Sequence, residues 1–248
     1  MRVPAHLGYR KRKPKAVTTV LAIASRLVIA TAAVYLVVTT FLLSSVRVDS
    51  TSMEPALAAR DRLFVSPLVY GPRIPFTGWR IPGYRAPERG DVVLLLSPQA
   101  ADQGPVLRAL DGVVRFFTVQ RVTISGMDRS GAAPRLIVKR IIGLPGDTVR
   151  MVGYAAEVKP AGESLFAGEL AISRRVYEPR IGSRAALPEA APFGGGLPEV
   201  VLGKGQFFLL GDNREDSSDS RSWGPVGMER FMGAVMVRYF PFRRLGRV

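Results

Sequence analysis

The sequence contains no cysteine, a single histidine, and no acidic residue before Asp49. The first absence removes thiol nucleophiles, disulfide frameworks and thiolate zinc sites together, and is compatible with either redox compartment. The second argues against a Ser/His/Asp triad. His6 sits in a basic N-terminal tail, and a long apolar run separates it from the serines that follow, so a membrane would stand between them. The third concentrates positive charge at one end. Arg2, Arg10, Lys11, Arg12, Lys13, Lys15 and Arg26 all precede Leu27, and taking these seven from 35 leaves 28 basic residues against 20 acidic ones. About half of the formal charge of +15 therefore sits in the short N-terminal segment and the remainder carries only +8, which speaks against a basic nucleic-acid-binding face.

Long apolar runs are also scarce: there is one. Leu27 to Leu43 carries no charge, and Ala16 to Val46 contains only Arg26. At about 1.5 Å per residue the shorter stretch spans ~26 Å, close to the ~30 Å of a hydrocarbon core. The pattern predicts one transmembrane helix over 27–46, with the basic tail 1–26 in the cytoplasm and the long C-terminal part outside. A cleaved signal peptide is the competing reading. The run exceeds a typical signal-peptide apolar region, and no A-x-A site follows it.

Past this run, no extended stretch repeats its apolar residues every 3.6 positions. Short apolar, β-branched runs alternate with Gly and Pro instead, so the expected fold is mainly β. Strands are predicted at Arg62 to Val65, Asp91 to Leu96, Val113 to Ile124, Leu136 to Ile142, Gln206 to Leu210 and Ala234 to Phe240. Tyr70 to Pro87, with Phe76, Trp79 and Tyr84 among prolines and glycines, reads as a surface loop that could touch lipid headgroups. With 248 residues and 47% hydrophobic content there is material for a β core over 47–150 and 206–248, beside a smaller inserted β lobe over 151–205.

Three blocks hold the reactive side chains. Asp49-Ser50-Thr51-Ser52-Met53-Glu54-Pro55 follows the apolar run directly, placing Ser52 at a membrane surface. A serine hydroxyl needs a neighbouring base, and with histidine excluded the choices are lysine or a carboxylate pair. Leu136-Ile-Val-Lys139-Arg140-Ile-Ile-Gly-Leu-Pro-Gly-Asp147 sets a lysine within an aliphatic run. If Lys139 faces inward, desolvation favours its neutral form; if outward, it is an ordinary strand lysine beside Arg140. Leu209 to Gly224 packs Asp212, Asn213, Arg214, Ser217, Asp219 and Arg221 behind a strand, either as a polar turn or as a hydrogen-bonded shell around a lysine. An Asp212/Asp219 dyad is disfavoured by the nearby Arg214 and Arg221.

In this order, and joined to Arg89-Gly90-Asp91-Val92-Val93, the blocks resemble those of the type I signal peptidases, membrane-bound Ser/Lys proteases that remove signal peptides. The resemblance covers Asp49 to Val65, Arg89 to Leu96, Leu136 to Val149 and Leu209 to Gly224. Asp49 stands where the family usually has proline, and Ala56 where it often has threonine. The resemblance implies Ser52 as nucleophile and Lys139 as general base. It further implies an oxyanion hole from the Ser52 N–H and the Ser50 hydroxyl, Ser217 orienting the lysine, and Asp219 with Arg221 bracing the site. It also implies two antiparallel β lobes, no cofactor or metal, preproteins bearing signal peptides as partners at a phospholipid membrane, and a monomer. Two rivals stay open: a Ser/Lys membrane protease with a specialised client, and a catalytically silent binding protein of the same fold.

Overall fold

The computed structural model describes residues 16–72, 74, 79–99, 136–181 and 196–248. The basic segment before Ala16 with His6, the strand expected at Val113 to Ile124, and Phe76 lie outside them.

Helix α1 spans Ala16–Val37 and continues as a π-helical turn at Val38–Leu42. Its 22 residues extend ~33 Å at about 1.5 Å each. Thr18–Tyr35 is long and apolar enough to cross a membrane, with none of that window buried against the rest of the protein. The helix therefore starts earlier than the sequence suggests and also ends earlier. Leu43 turns extended, and Ser44–Arg47 forms β1, with the Ser45 hydroxyl 2.7 Å from that of Tyr239. Apolar composition continues past the helix, but the backbone of Ser44–Arg47 pairs with Arg62 to Val65 and so leaves the helix for the sheet.

The larger sheet also contains β2 (Arg62–Ser66), β3 (Val92–Leu96) and β4 (Leu136–Gly143). Four further strands, β5 (Thr148–Val152), β6 (Ala155–Lys159), β7 (Ala167–Gly168) and β8 (Leu197–Val201), make a separate sheet. A one-turn helix α2 (Glu169–Ile172) follows β7. The chain then returns to the larger sheet through β9 (Gln206–Leu210), a short helix α3 (Ser220–Trp223), β10 (Val226–Gly227) and β11 (Phe231–Phe240). Strand order is β1-β2-β11-β3-β4-β9-β10 in the large sheet and β7-β6-β5-β8 in the small one. Every neighbouring pair is antiparallel. A mainly β protein behind an N-terminal apolar helix is thus what the chain builds. The small sheet begins at Thr148, so the turn Pro145-Gly146-Asp147, rather than Arg150, separates the two sheets.

Strand β3 explains its own unbroken apolar sequence. Val93 and Leu95 enter one core with Tyr70, Ile141, Leu209 and Phe231, while Val92 and Leu94 enter another with Met53, Leu57, Leu63 and Val138. Both faces of the strand are covered, so alternation with polar residues has no place there. The small sheet has one buried face. Val149, Met151, Ala156 and Val158 pack on Phe208, Leu210 and Tyr177, while Arg150 pairs outside with Glu157. Within the Tyr70 to Pro87 loop, Trp79 and Tyr84 are largely exposed, and Arg80 fastens the loop by donating to the Met228 and Phe231 carbonyls at 3.1 and 2.7 Å.

Candidate active site

Ser52 sits on a turn whose next residues are core anchors. Met53 and Leu57 are fully buried beside Val48 and Leu63, and the Leu57 N–H closes the turn on the Met53 carbonyl at 2.8 Å. The apolar residues after the serine therefore fix the backbone that carries it. From the other side, the Asn213 N–H donates to the Ser52 carbonyl at 3.0 Å, joining the first block to the third.

Lys139 comes from the middle of β4, opposite Val93 of β3. Side chains of a strand alternate, so Ile137, Lys139 and Ile141 share one face and Val138, Arg140 and Ile142 the other. The ambiguity left by the aliphatic run is thereby resolved inward: Lys139 is 3% exposed, and its Nζ donates to Ser52 Oγ at 2.8 Å. The Ser50 hydroxyl lies 3.1 Å from the same oxygen. Burial pushes the Lys139 amine down from 10.5 to about 8, with Arg221 acting in the same direction and Asp219, Asp212 and Asp216 opposing it. Lys139, 87 positions away in sequence, and the neighbouring Ser50 thus converge on the Ser52 hydroxyl.

A cleft of about 180 Å³ opens on this hydroxyl, with Ile137 and Trp223 giving it apolar wall and Ser50, Ser97, Asp216 and Ser218 a polar rim. The Thr51 hydroxyl donates to Asp216 across the rim. Among the described residues no group of three or more His, Cys, Asp or Glu side chains gathers in a way that could hold a metal ion.

The third block is a cage of paired charges. Asp219 receives Arg221 Nε at 2.8 Å and Nη2 at 2.9 Å, both side chains being buried, and its Oδ2 also accepts the Gly211 N–H at 3.1 Å. Arg221 in turn holds the carbonyls of Arg214 and Ser217 at 2.8 and 3.2 Å. The Ser217 hydroxyl is buried against Gly211 but makes no hydrogen bond, so the Lys139 contact implied by the family resemblance is not among its bonds. At Gly211 a Cβ would fall 2.2 Å from the Ser217 hydroxyl and 2.4 Å from the Ser52 carbonyl, so glycine is required by close approach. Asp212 and Asp219 do not form a dyad. Asp212 is gripped by Arg140 through two bonds of 2.8 and 2.6 Å, and Arg214, expected beside these aspartates, pairs with Glu169 instead.

Glu169, Tyr177 and the bonding of Asn213 to the serine turn were not singled out from the sequence. Asn213 was visible within the Gly-Asp-Asn-Arg run. Glu169 stands 45 positions from its partner in a segment with no motif, and nothing local signals it.

An apolar N-terminal helix, an antiparallel β body, and a serine and a lysine in contact at one cleft are what the chain brings together. The chain belongs to the signal peptidase, peptidase S26, family, whose model matches residues 20–240. It is similar to signal peptidase I of Haemophilus influenzae, 26% identical over 230 residues that cover 81% of this chain and 64% of that protein. The probable signal peptidase I-2 of Synechocystis is 28% identical, over 84% of this chain and 67% of the relative. Signal peptidase IB of Staphylococcus aureus reaches 35% identity over a shorter match, 42% of this chain and 53% of its own length. This chain therefore spans just under two thirds of the Haemophilus relative. A solved structure of a signal peptidase I from Enterococcus faecalis matches 60% of the chain at 20% identity with a TM-score of 0.31.

Proposed function

We propose that this chain is a serine endopeptidase that removes signal peptides from secreted preproteins at the outer face of the cytoplasmic membrane, with Ser52 as nucleophile and Lys139 as general base. One observation carries the reading: a buried lysine amine, pushed down to about 8, lies 2.8 Å from a serine hydroxyl in an open cleft. Family membership and the relatives' names support the substrate class. The apolar helix that precedes β1 and the serine turn supports membrane anchoring, and the Arg/Lys cluster before it supports a cytoplasmic N-terminus.

The chemistry follows from the geometry. Neutral Lys139 accepts the Ser52 proton as Oγ attacks the carbonyl carbon of the scissile peptide bond. The negative charge that develops on the carbonyl oxygen is held by the Ser52 N–H and the Ser50 hydroxyl, donors in place before the reaction begins. The lysine, now an ammonium, gives its proton to the leaving amine, and the C–N bond breaks. A water molecule, deprotonated by the same amine, attacks the acyl ester, releases the acid product and restores the serine. Asp219 with Arg221 braces the loop beside the lysine, and Ser217, within that loop, packs on Gly211. No step requires a cofactor. A substrate in extended conformation would lie along the cleft, its small side chains meeting Ile137 and Trp223. The enzyme acts as a monomer on preproteins.

The test is incubation of detergent-solubilised protein with a mixed set of preproteins, followed by N-terminal sequencing of the products. Cleavage after the signal peptide by the wild type and none by Ser52→Ala is the expected result. Cleavage at other sites would favour a protease with a specialised client, and no cleavage at all a silent binding protein.

A further inference from the structure

The segment that follows β7 meets the loop that carries Asp212, Asn213 and Arg214, and meets Arg140 of β4 beside it. Glu169 of α2 is 5% exposed and meets the fully buried Arg214 through two bonds of 2.7 and 2.6 Å. The Tyr177 hydroxyl donates to the same carboxylate at 2.8 Å, while its ring lies 4.0 Å beneath the Arg140 guanidinium. The Arg180 N–H donates to the Asp212 carbonyl at 2.7 Å, and the Arg214 N–H to the Arg180 carbonyl at 3.0 Å.

Each of these contacts leads to a reacting residue within one or two steps. Arg214, once held by Glu169, donates through Nε to the Gly211 carbonyl at 2.9 Å. Gly211 packs without room for a Cβ against the Ser52 carbonyl, and Asn213 bonds to that carbonyl. Arg140, braced by Tyr177 and Asp212, is the residue after Lys139, and on an alternating strand its anchoring fixes the direction of its neighbour. A buried arginine stripped of its carboxylate would be an uncompensated charge, so the loop would move to solvate it.

From this we infer that Glu169 is a positioning residue for the reaction, acting through Arg214 on the loop that sets Ser52 against Lys139, and that Tyr177 assists it. The small lobe is therefore part of the catalytic apparatus rather than a decoration inserted into it. The inference rests on the Ser52/Lys139 reading above. Its consequence is kinetic: a misplacement of about 1 Å at a site like this costs up to about a hundredfold in rate without weakening substrate binding to match.

The experiment compares wild type, Ser52→Ala, Glu169→Gln, Glu169→Asp and Tyr177→Phe, all as full chains in detergent, on one peptide substrate. The folded fraction of each is read from its denaturant unfolding curve, and kcat is expressed per folded molecule, so a loss of stability alone does not register. Glu169→Gln is expected to lose about tenfold or more in kcat with KM within about twofold of wild type, and Glu169→Asp, which keeps the charge, to recover part of that loss. Unchanged kcat per folded molecule in Glu169→Gln, or a loss confined to KM, overturns the inference. Should Glu169→Gln fail to fold, Tyr177→Phe decides: it removes one hydroxyl and keeps the ring, and a fall of about threefold or more in kcat supports the inference, whereas wild-type kcat overturns it. The Ser52→Ala arm keeps the two claims apart. Turnover surviving there would sink the parent reading, whereas an inactive Ser52→Ala beside a fully active Glu169→Gln sinks only the role of Glu169.

Discussion

A lysine that must be neutral to work is a burden on the fold, and Lys139→Met measures it. Methionine approximates the length and apolar body of the side chain without its charge. Lowering the amine from 10.5 to about 8 makes its protonated form about 3 kcal/mol less favourable in the folded protein than in the unfolded chain, at about 1.4 kcal/mol per tenfold change. Loss of the 2.8 Å bond to Ser52 returns about 1 kcal/mol of that, leaving Lys139→Met about 2 kcal/mol more stable near pH 7. The pH dependence gives the sign. Between about 8 and 10.5 the unfolded lysine holds a proton that the folded one has lost, so wild-type stability rises with pH through that window while the variant gains nothing from this group. The advantage of Lys139→Met should therefore be constant below pH 8 and shrink steadily above it. Denaturant unfolding of both proteins from about pH 6.5 to 10.5 reads this difference directly, since all other titrations are shared. A gap that is absent or reversed near pH 7, or flat across the window, would refute the claim that burial depresses Lys139.

Two further outcomes concern the anchor and the oxyanion site. Removing residues 1–43 should leave a β domain that still cuts peptides in detergent but no longer sediments tightly with membranes. Cutting on to Val46 instead removes most of β1 and its pairing with Val65, Phe64 and Leu63, and should lower the midpoint of thermal unfolding; equal midpoints for the two truncations would mean that β1 contributes nothing. Ser50→Ala removes the hydroxyl 3.1 Å from Ser52 Oγ and should reduce kcat by about a hundredfold or more with little change in KM; near-normal kcat would remove Ser50 from the oxyanion site.

Five strands of the large sheet, β2, β3, β4, β9 and β11, were legible because their apolar runs are bounded by turn residues, as at Val92–Leu96 and Gln206–Leu210. Those of the small sheet were not. Thr148–Val152 and Ala155–Lys159 alternate apolar and charged residues for only five positions each, and the proline- and glycine-rich chain around them suggested a loose insertion. Strand β1 was hidden by composition, since its Ser44-Ser45-Val46 reads as the tail of the apolar run. The order and spacing of the three blocks brought Ser50, Ser52 and Lys139 to notice, yet the direction of Lys139 was undetermined because aliphatic residues flank it on both faces. Only the pairing of β4 between β3 and β9 decides which face lines the cleft. The charge pairings were the least legible. Asp219 with Arg221 is local, two residues apart, but Arg140 with Asp212 depends on the pairing of β4 with β9, and Arg214 with Glu169 on how the small lobe meets the large sheet.

The most direct test of the Ser/Lys account is the pH profile of kcat/KM for wild type and Lys139→Arg on one peptide substrate. Arginine keeps the positive charge but cannot lose its proton in this range, with a reference value above about 12, so it separates a base from a mere cation. The account predicts that wild-type kcat/KM climbs with pH through a midpoint near 8 and levels off about one unit above it, since only the neutral amine accepts the serine proton, and that Lys139→Arg is as inactive as Ser52→Ala at every pH. Substantial turnover by Lys139→Arg, or a wild-type profile still climbing at about pH 10, where an undepressed lysine titrates, would contradict it.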